Sequence, residues 1–234
     1  MTSHCARITV ALLGMLACRM SHAQPVDVVA HVQFAHADKQ KAAHLQSSGV
    51  VLWLSPTPDD PSASAKPGHF RLVQKDKSFN PHLLVVPLGS SVDFPNLDPF
   101  FHNVFSQFNG KRFDLGLYEE GSNKTVRFDH EGVSYIFCNI HPEMSAVVIA
   151  LSTPYFDVSS AQGSIDLHDV PSGSYEMRVW AEGVDAKQLS GLTRTVRVGP
   201  GQTDLGVIQL VENGVPPHKN KYGQDYFPNR ETTY

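Results

Sequence analysis

The stretch CNIHPEM holds a thiol at Cys138, an imidazole at His141 and a thioether at Met144, with two residues between successive members. Each alone has an ordinary explanation. A lone Cys usually packs as a small hydrophobe, and a Met beside a turn usually fills a core. Three soft donors within seven residues suit a metal better. A mononuclear copper centre that transfers electrons needs a thiolate and two imidazoles close to one plane, with a weak axial thioether. A tight loop after the strand-like run Val133 to Phe137 supplies three of the four, and Pro142 stiffens the turn by fixing its φ. The fourth donor has to come from elsewhere. His102 in DPFFHNVFS lies between a loop and a strand-like segment and is the best candidate. A zinc site of Cys and His is the competing reading, but zinc rarely takes a thioether.

The weight on Cys138 depends on how the chain begins. Arg7, the apolar run Ile8 to Ala17 and the small-residue triplet Ser21-His22-Ala23 follow the order of a secretory signal peptide, with cleavage expected after Ala23. The run is too short for a bilayer, which needs about 20 apolar residues, so no transmembrane span is expected. Cleavage removes Cys5 and Cys18 and leaves one thiol, in a periplasmic or extracellular setting where free thiols are a liability. The formal charge is −4 for the whole chain and becomes more negative when Arg7 and Arg19 leave. That excess disfavours nucleic acid as a partner.

Beyond residue 23 the pattern is one of many short strand-like stretches, among them Val26 to Phe34, Val50 to Leu54, Ser145 to Leu151 and Tyr175 to Trp180. In Tyr175 to Trp180 the alternation is expected to place the apolar side chains on one face. Turn signals such as PLGSS, EEGSN, PSGS and GPGQ punctuate these runs, which predicts an all-β fold built from sandwiches. The expected division is 1–23 signal peptide, 24–66 N-terminal strands, 67–152 the metal-bearing unit, 153–213 a second β-sandwich and 214–234 an extended tail. The strands of 24–66 are expected to complete the second sandwich, so that the metal-bearing unit is an insertion between its strands. The Pro- and Ser-rich PTPDDPSASAK marks one junction, and KQKAAHLQSS reads as a short helix or a loop. The tail lacks a core pattern, but its Tyr222, Tyr226, Phe227 and Tyr234 leave room for docking on the body or on a partner.

With those motifs in place, His82 to Leu151 resembles the cupredoxins, the blue copper proteins. The resemblance covers FNPHLLVVPLGSSVDFPN, the His102-Asn103 pair, C-x2-H-x2-M and the closing run SAVVIAL. The short ligand loop is similar to that of amicyanin, and the wider chain looks like bacterial proteins of the methylamine-utilisation or plastocyanin-like type. The resemblance implies a Greek-key sandwich with one type 1 copper held by His102, Cys138, His141 and Met144. It also implies that Asn103 ties the two ligand loops together, and that His141 is exposed as the electron port with Phe100 and Phe101 around it. Gly163 to Trp180 resembles a carboxypeptidase-regulatory-like, transthyretin- or Ig-like sandwich, which bears on fold and not on function.

The expected function is therefore copper-based electron transfer, with a redox partner such as a c-type cytochrome. Two alternatives stay open: a module that handles or senses copper, and a structural or adhesive protein that copper merely stabilises. No HxH pair of a multicopper oxidase, no nucleophile with a base and no phosphate loop is present, so enzymatic activity is not expected. His31, His36, His44 and His69 cluster early and read as solvated, with a second weak metal site as the alternative. His82 and His130 read as surface residues.

Overall fold

The structure is a computed structural model that describes residues 25–35, 48–57, 64–107, 110–215 and 217–226. The chain enters through β1 (Val26–Ala35) and β2 (Val51–Pro56). It then forms β3 (His69–Arg71), β4 (Val73–Lys75), β5 (Ser78–Asn80), β6 (Leu83–Pro87) and β7 (Ser91–Pro95). Next come β8 (His102–Ser106), β9 (Phe113–Tyr118), β10 (Asn123–Arg127), β11 (Gly132–Phe137) and β12 (Ser145–Leu151). The last section holds β13 (Phe156–Val158), β14 (Ser164–Val170), β15 (Gly173–Trp180), the short helix α1 (Ala186–Leu192), β16 (Arg194–Val198) and β17 (Thr203–Val211). The fold is all-β. No described helix is long and apolar enough to cross a membrane.

Sheet β14–β1–β17 and sheet β13–β2–β15–β16 enclose one core. Strand alternation explains its membership. Val28, Ala30 and Val32 of β1, Ile165 and Leu167 of β14, and Tyr175, Met177 and Val179 of β15 all point inward. This sandwich takes β1 and β2 from one part of the sequence and β13 to β17 from another, with β1 pairing to β14 and β2 to β15. Between these parts, sheet β10–β7–β3 and sheet β6–β12–β11–β8–β9 enclose a second core around Phe94, Val104, Phe128, Ile136 and Val148.

A third core joins the two sandwiches. Strands β2 and β12 are apolar at nearly every position, the pattern of strands covered on both faces. Ala146, Val148 and Ala150 face the second core, while Val147, Ile149 and Leu151 face away from it and pack with Val51, Trp53 and Trp180. Trp180 thus departs from the expectation that the apolar residues of Tyr175 to Trp180 share a face. It is the even-numbered member of an odd-numbered set, and the neighbouring sandwich supplies the apolar surface it needs. At the edge of this junction His82 Nε2 lies 2.7 Å from Glu182 Oε2.

Candidate metal centre

Strands β8 and β11 are antiparallel neighbours, with Phe105 opposite Phe137. The start of one therefore lies beside the end of the other. His102 opens β8, and Cys138 follows the last residue of β11. The chain then turns through residues 139–143. The Met144 N–H donates to the His141 carbonyl at 3.0 Å and the Cys138 N–H to the Met144 carbonyl at 3.3 Å, which closes the loop and restarts the ladder in β12.

Three side chains converge inside this frame. His102 Nδ1 lies 3.1 Å from His141 Nδ1, and Cys138 Sγ lies 3.8 Å and 3.6 Å from those two nitrogens. With bonds of about 2.0 Å to nitrogen and about 2.3 Å to sulfur, three donors spread at 120° around one ion stand about 3.5 Å (N to N) and about 3.7 Å (N to S) apart. The donor set therefore fits a single metal ion. Exposure is 0 % for His102 and Cys138, 5 % for His141 and 1 % for Met144. Among the described residues no other group of His, Cys, Asp and Glu converges in this way.

The electrostatics favour an added cation. Burial pushes the Cys138 thiol up, and the backbone N–H groups of Asn103, Ile140 and His141, which face its sulfur, only partly offset this. Burial lowers both imidazole pKa values, and for His141 the neighbouring His102 lowers it further. Both rings are thus kept neutral with lone pairs available, and a bound cation would compensate the buried thiolate.

Asp98 fixes which nitrogen of His102 faces the site. The His102 Nε2–H donates to Asp98 Oδ2 at 2.8 Å, so Nδ1 carries the lone pair. Asp98 is itself buried and accepts the N–H of Asp76 at 2.7 Å and of Lys77 at 3.0 Å. Burial raises its pKa, but these backbone donors and His102 outweigh it and hold the carboxyl below its usual value. The sequence reading did not single out Asp98. A carboxylate four residues before a ligand His is the signal that marks it.

The other expected residues fall as follows. Met144 is buried in the same core as Cys138. The backbone N–H of Asn103 faces the Cys138 sulfur and lowers its pKa. The Asn103 side chain turns instead to β9, where Nδ2 donates to Asp114 Oδ1 at 2.7 Å. His141 is buried where exposure was expected, and the half-buried Phe100 ring packs at an angle against both imidazoles, with centroids 5.2 Å from His102 and 5.5 Å from His141. Phe100 is held there by its carbonyl, which accepts from Asn96 Nδ2 at 2.8 Å. Phe101 is 47 % exposed. The early His residues do not form a second site within the described residues. His31 lies in β1 of one sandwich and His69 in β3 of the other, paired with Asp93 at 2.9 Å. His36, His44, the signal segment and most of KQKAAHLQSS lie outside the described residues.

Residues 217–226 do not extend away from the body but run across the ligand loop. The His218 ring stacks on Phe137 with centroids 4.1 Å apart, and its Nε2–H donates to the Pro142 carbonyl at 2.6 Å. The Lys221 N–H donates to Asn139 Oδ1 at 3.0 Å, and the Tyr226 hydroxyl donates to the Cys138 carbonyl at 2.8 Å. Lys221 Nζ also reaches Asp114 Oδ2 at 2.8 Å.

No protein-family model matches the chain, and comparison with curated proteins gives no match. Among solved structures, the chain is similar to a purple cupredoxin from Nitrosopumilus maritimus, at 25% identity over 35% of this chain and 98% of that one, with a TM-score of 0.32. A Cu-containing nitrite reductase from Thermus scotoductus aligns at 20% identity over 52% of this chain and 28% of that one, with a TM-score of 0.35. A mutant of amicyanin in its Cu(I) form aligns at 16% identity over 43% of this chain and 98% of that one, with a TM-score of 0.33.

Proposed function

We propose that this protein binds one copper ion in a type 1 centre and transfers electrons, acting in the periplasm or outside the cell after cleavage behind Ala23. The observation that carries the reading is the convergence of two imidazole nitrogens and one cysteine sulfur at 3.1 to 3.8 Å among buried side chains. Copper, when bound there, would supply a one-electron Cu(I)/Cu(II) couple, which a soft thiolate and two imidazoles suit. His102, Cys138 and His141 would hold the ion, and the Met144 thioether, buried in the same core, would supply a further weak, soft donor. Asp98 orients His102, and the backbone N–H groups around the Cys138 sulfur stabilise the thiolate. His102 opens β8 and Cys138 follows the last residue of β11, so two of the three donors are anchored on hydrogen-bonded strands. Phe100 keeps water off both rings and leaves its own outer face as the nearest contact for a redox partner such as a c-type cytochrome. Burial of all three donors weighs against a module that hands copper on, since a transfer site has to admit the acceptor's ligands.

The test is a visible spectrum of the mature protein after Cu(II) addition, beside Cys138→Ser. An intense thiolate-to-copper band in the wild type and none in the variant is the expected result. No band in the wild type overturns the reading.

A further inference from the structure

The ligand loop is gripped along its length by a segment far away in sequence. Three bonds join residues 217–226 to successive parts of the loop: Tyr226 Oη to the Cys138 carbonyl, the Lys221 N–H to the Asn139 side chain, and His218 Nε2 to the Pro142 carbonyl. A peptide carbonyl on a turn ordinarily finds water, so bonds from a distant segment to two of them in one short loop form a specific clamp. The clamp has its own internal order. Asn220 Oδ1 accepts the N–H groups of Tyr222 and Gln224, and the Gly223 N–H donates to the Asn220 carbonyl at 2.9 Å. Gly223 adopts φ +75°, a conformation open to glycine. The clamp is also anchored on β9, where Lys221 Nζ reaches Asp114, the partner of Asn103. Near its start, the Asn213 N–H donates to the Gly183 carbonyl at 2.8 Å, in the other sandwich.

We infer that the segment 217–226 is a working part of the metal centre: His218, Lys221 and Tyr226 are positioning residues that hold the Cys138–Met144 loop in its ligating shape and close that side of it to solvent and to competing ligands. The seven-residue loop holds itself by one internal backbone bond, one ladder bond and the Ile140 and His141 N–H groups that face the Cys138 sulfur, none of which fixes its outer carbonyls. The three outside bonds remove the freedom that would let Cys138 or His141 swing from the common point. Loading and release of metal on this side then require the clamp to open, and access is confined to the side that carries Phe100. This goes beyond the copper reading and rests on it for one of its two readouts.

The experiment uses the full mature chain as wild type, Tyr226→Phe, the double variant His218→Ala/Tyr226→Phe, and the control Asp225→Asn, a carboxylate 87 % exposed on the same segment. Two quantities are followed: the rate at which copper passes to an excess chelator together with the position of the thiolate band, and the rate at which Cys138 of the metal-free protein reacts with a disulfide reagent. Each lost bond is expected to raise both rates about tenfold. The band should shift in Tyr226→Phe, whose ring packing is retained, and the control should match wild type. A thermal midpoint near that of wild type excludes global loosening as the cause. Unchanged thiol reactivity in the double variant overturns the inference. A wild type without a thiolate band removes the copper reading alone, and the thiol rates still decide the role of the clamp.

Discussion

Replacing Asp98 separates a positioning role from a merely structural one. Its carboxylate accepts three hydrogen bonds, two from the backbone of Asp76 and Lys77 and one from His102. Asp98→Ala strands all three donors. The two backbone donors are only partly buried and fall at the low end of the penalty for an unmet donor, so the summed cost is about 3 kcal/mol. A domain with an ordinary margin of about 5–15 kcal/mol still folds. The larger consequence is for His102. Without a carboxylate at Nε2, the ring no longer prefers the tautomer with a free Nδ1, and loss of such a partner typically lowers metal affinity about 10- to 100-fold. Asp98→Asn keeps one oxygen. Placed at the Oδ2 position it still serves Lys77 and His102, while its amide faces the Asp76 N–H. Its affinity should fall about tenfold, between wild type and Asp98→Ala. Copper competition against a chromophoric chelator, with urea denaturation of the metal-free proteins alongside, measures both quantities. An Asp98→Ala protein that loses stability but binds copper within twofold of wild type would refute the reasoning, because the tautomer of His102 would not depend on Asp98.

Two further predictions concern the junction. Ile149→Ala removes a fully buried side chain from the core between the sandwiches and should cost about 2–5 kcal/mol in urea denaturation, with an unaltered copper spectrum; a loss under about 1 kcal/mol would mean the two sandwiches do not depend on each other. The hydrogen bond to Glu182 raises the His82 pKa against the opposing effect of burial, so the pair's contribution is full below the ordinary imidazole pKa and disappears as pH rises through the raised value. Because the His82 side chain is 50% exposed, that contribution is at most about 1 kcal/mol. The stability difference between wild type and Glu182→Gln should therefore be present at acidic pH and vanish in alkali, and a difference that grows with pH would contradict the assignment.

The converging trio His102, Cys138 and His141 was legible because the chemistry looked for combines residue types that are rare together: one thiol and an imidazole on a short loop that also carries a thioether, and a second imidazole ahead of a strand. The long strands were legible for a different reason. β1, β14 and β15 alternate, and β12 is apolar from Ala146 to Leu151, so burial is written into their patterns. Strands β3, β4, β5 and β13 have three residues each, too few to show a period. Helix α1 has seven residues, and its apolar face is only Leu189 and Leu192, partly buried against the core and too few to show a period, although Asp185 caps it by accepting the Gln188 N–H at 2.8 Å. The clamp was hidden for a third reason: it binds mostly to backbone carbonyls, and every residue has one.

The strands apolar on both faces carry a consequence for how this chain can be taken apart. Cutting out residues of the metal-bearing sandwich to obtain a minimal copper protein would bare Val147, Ile149 and Leu151 as a strip on β12, with Leu83, Val85, Val133 and Tyr135 beside it. A continuous apolar strip of that kind drives association between copies. The excised piece would also lose the clamp, which reaches the ligand loop only after the chain has completed the other sandwich. The sandwich that holds His102, Cys138 and His141 is thus not a detachable module with an accessory domain. Its outer wall and the brace on its active loop are both built from sequence that lies beyond it.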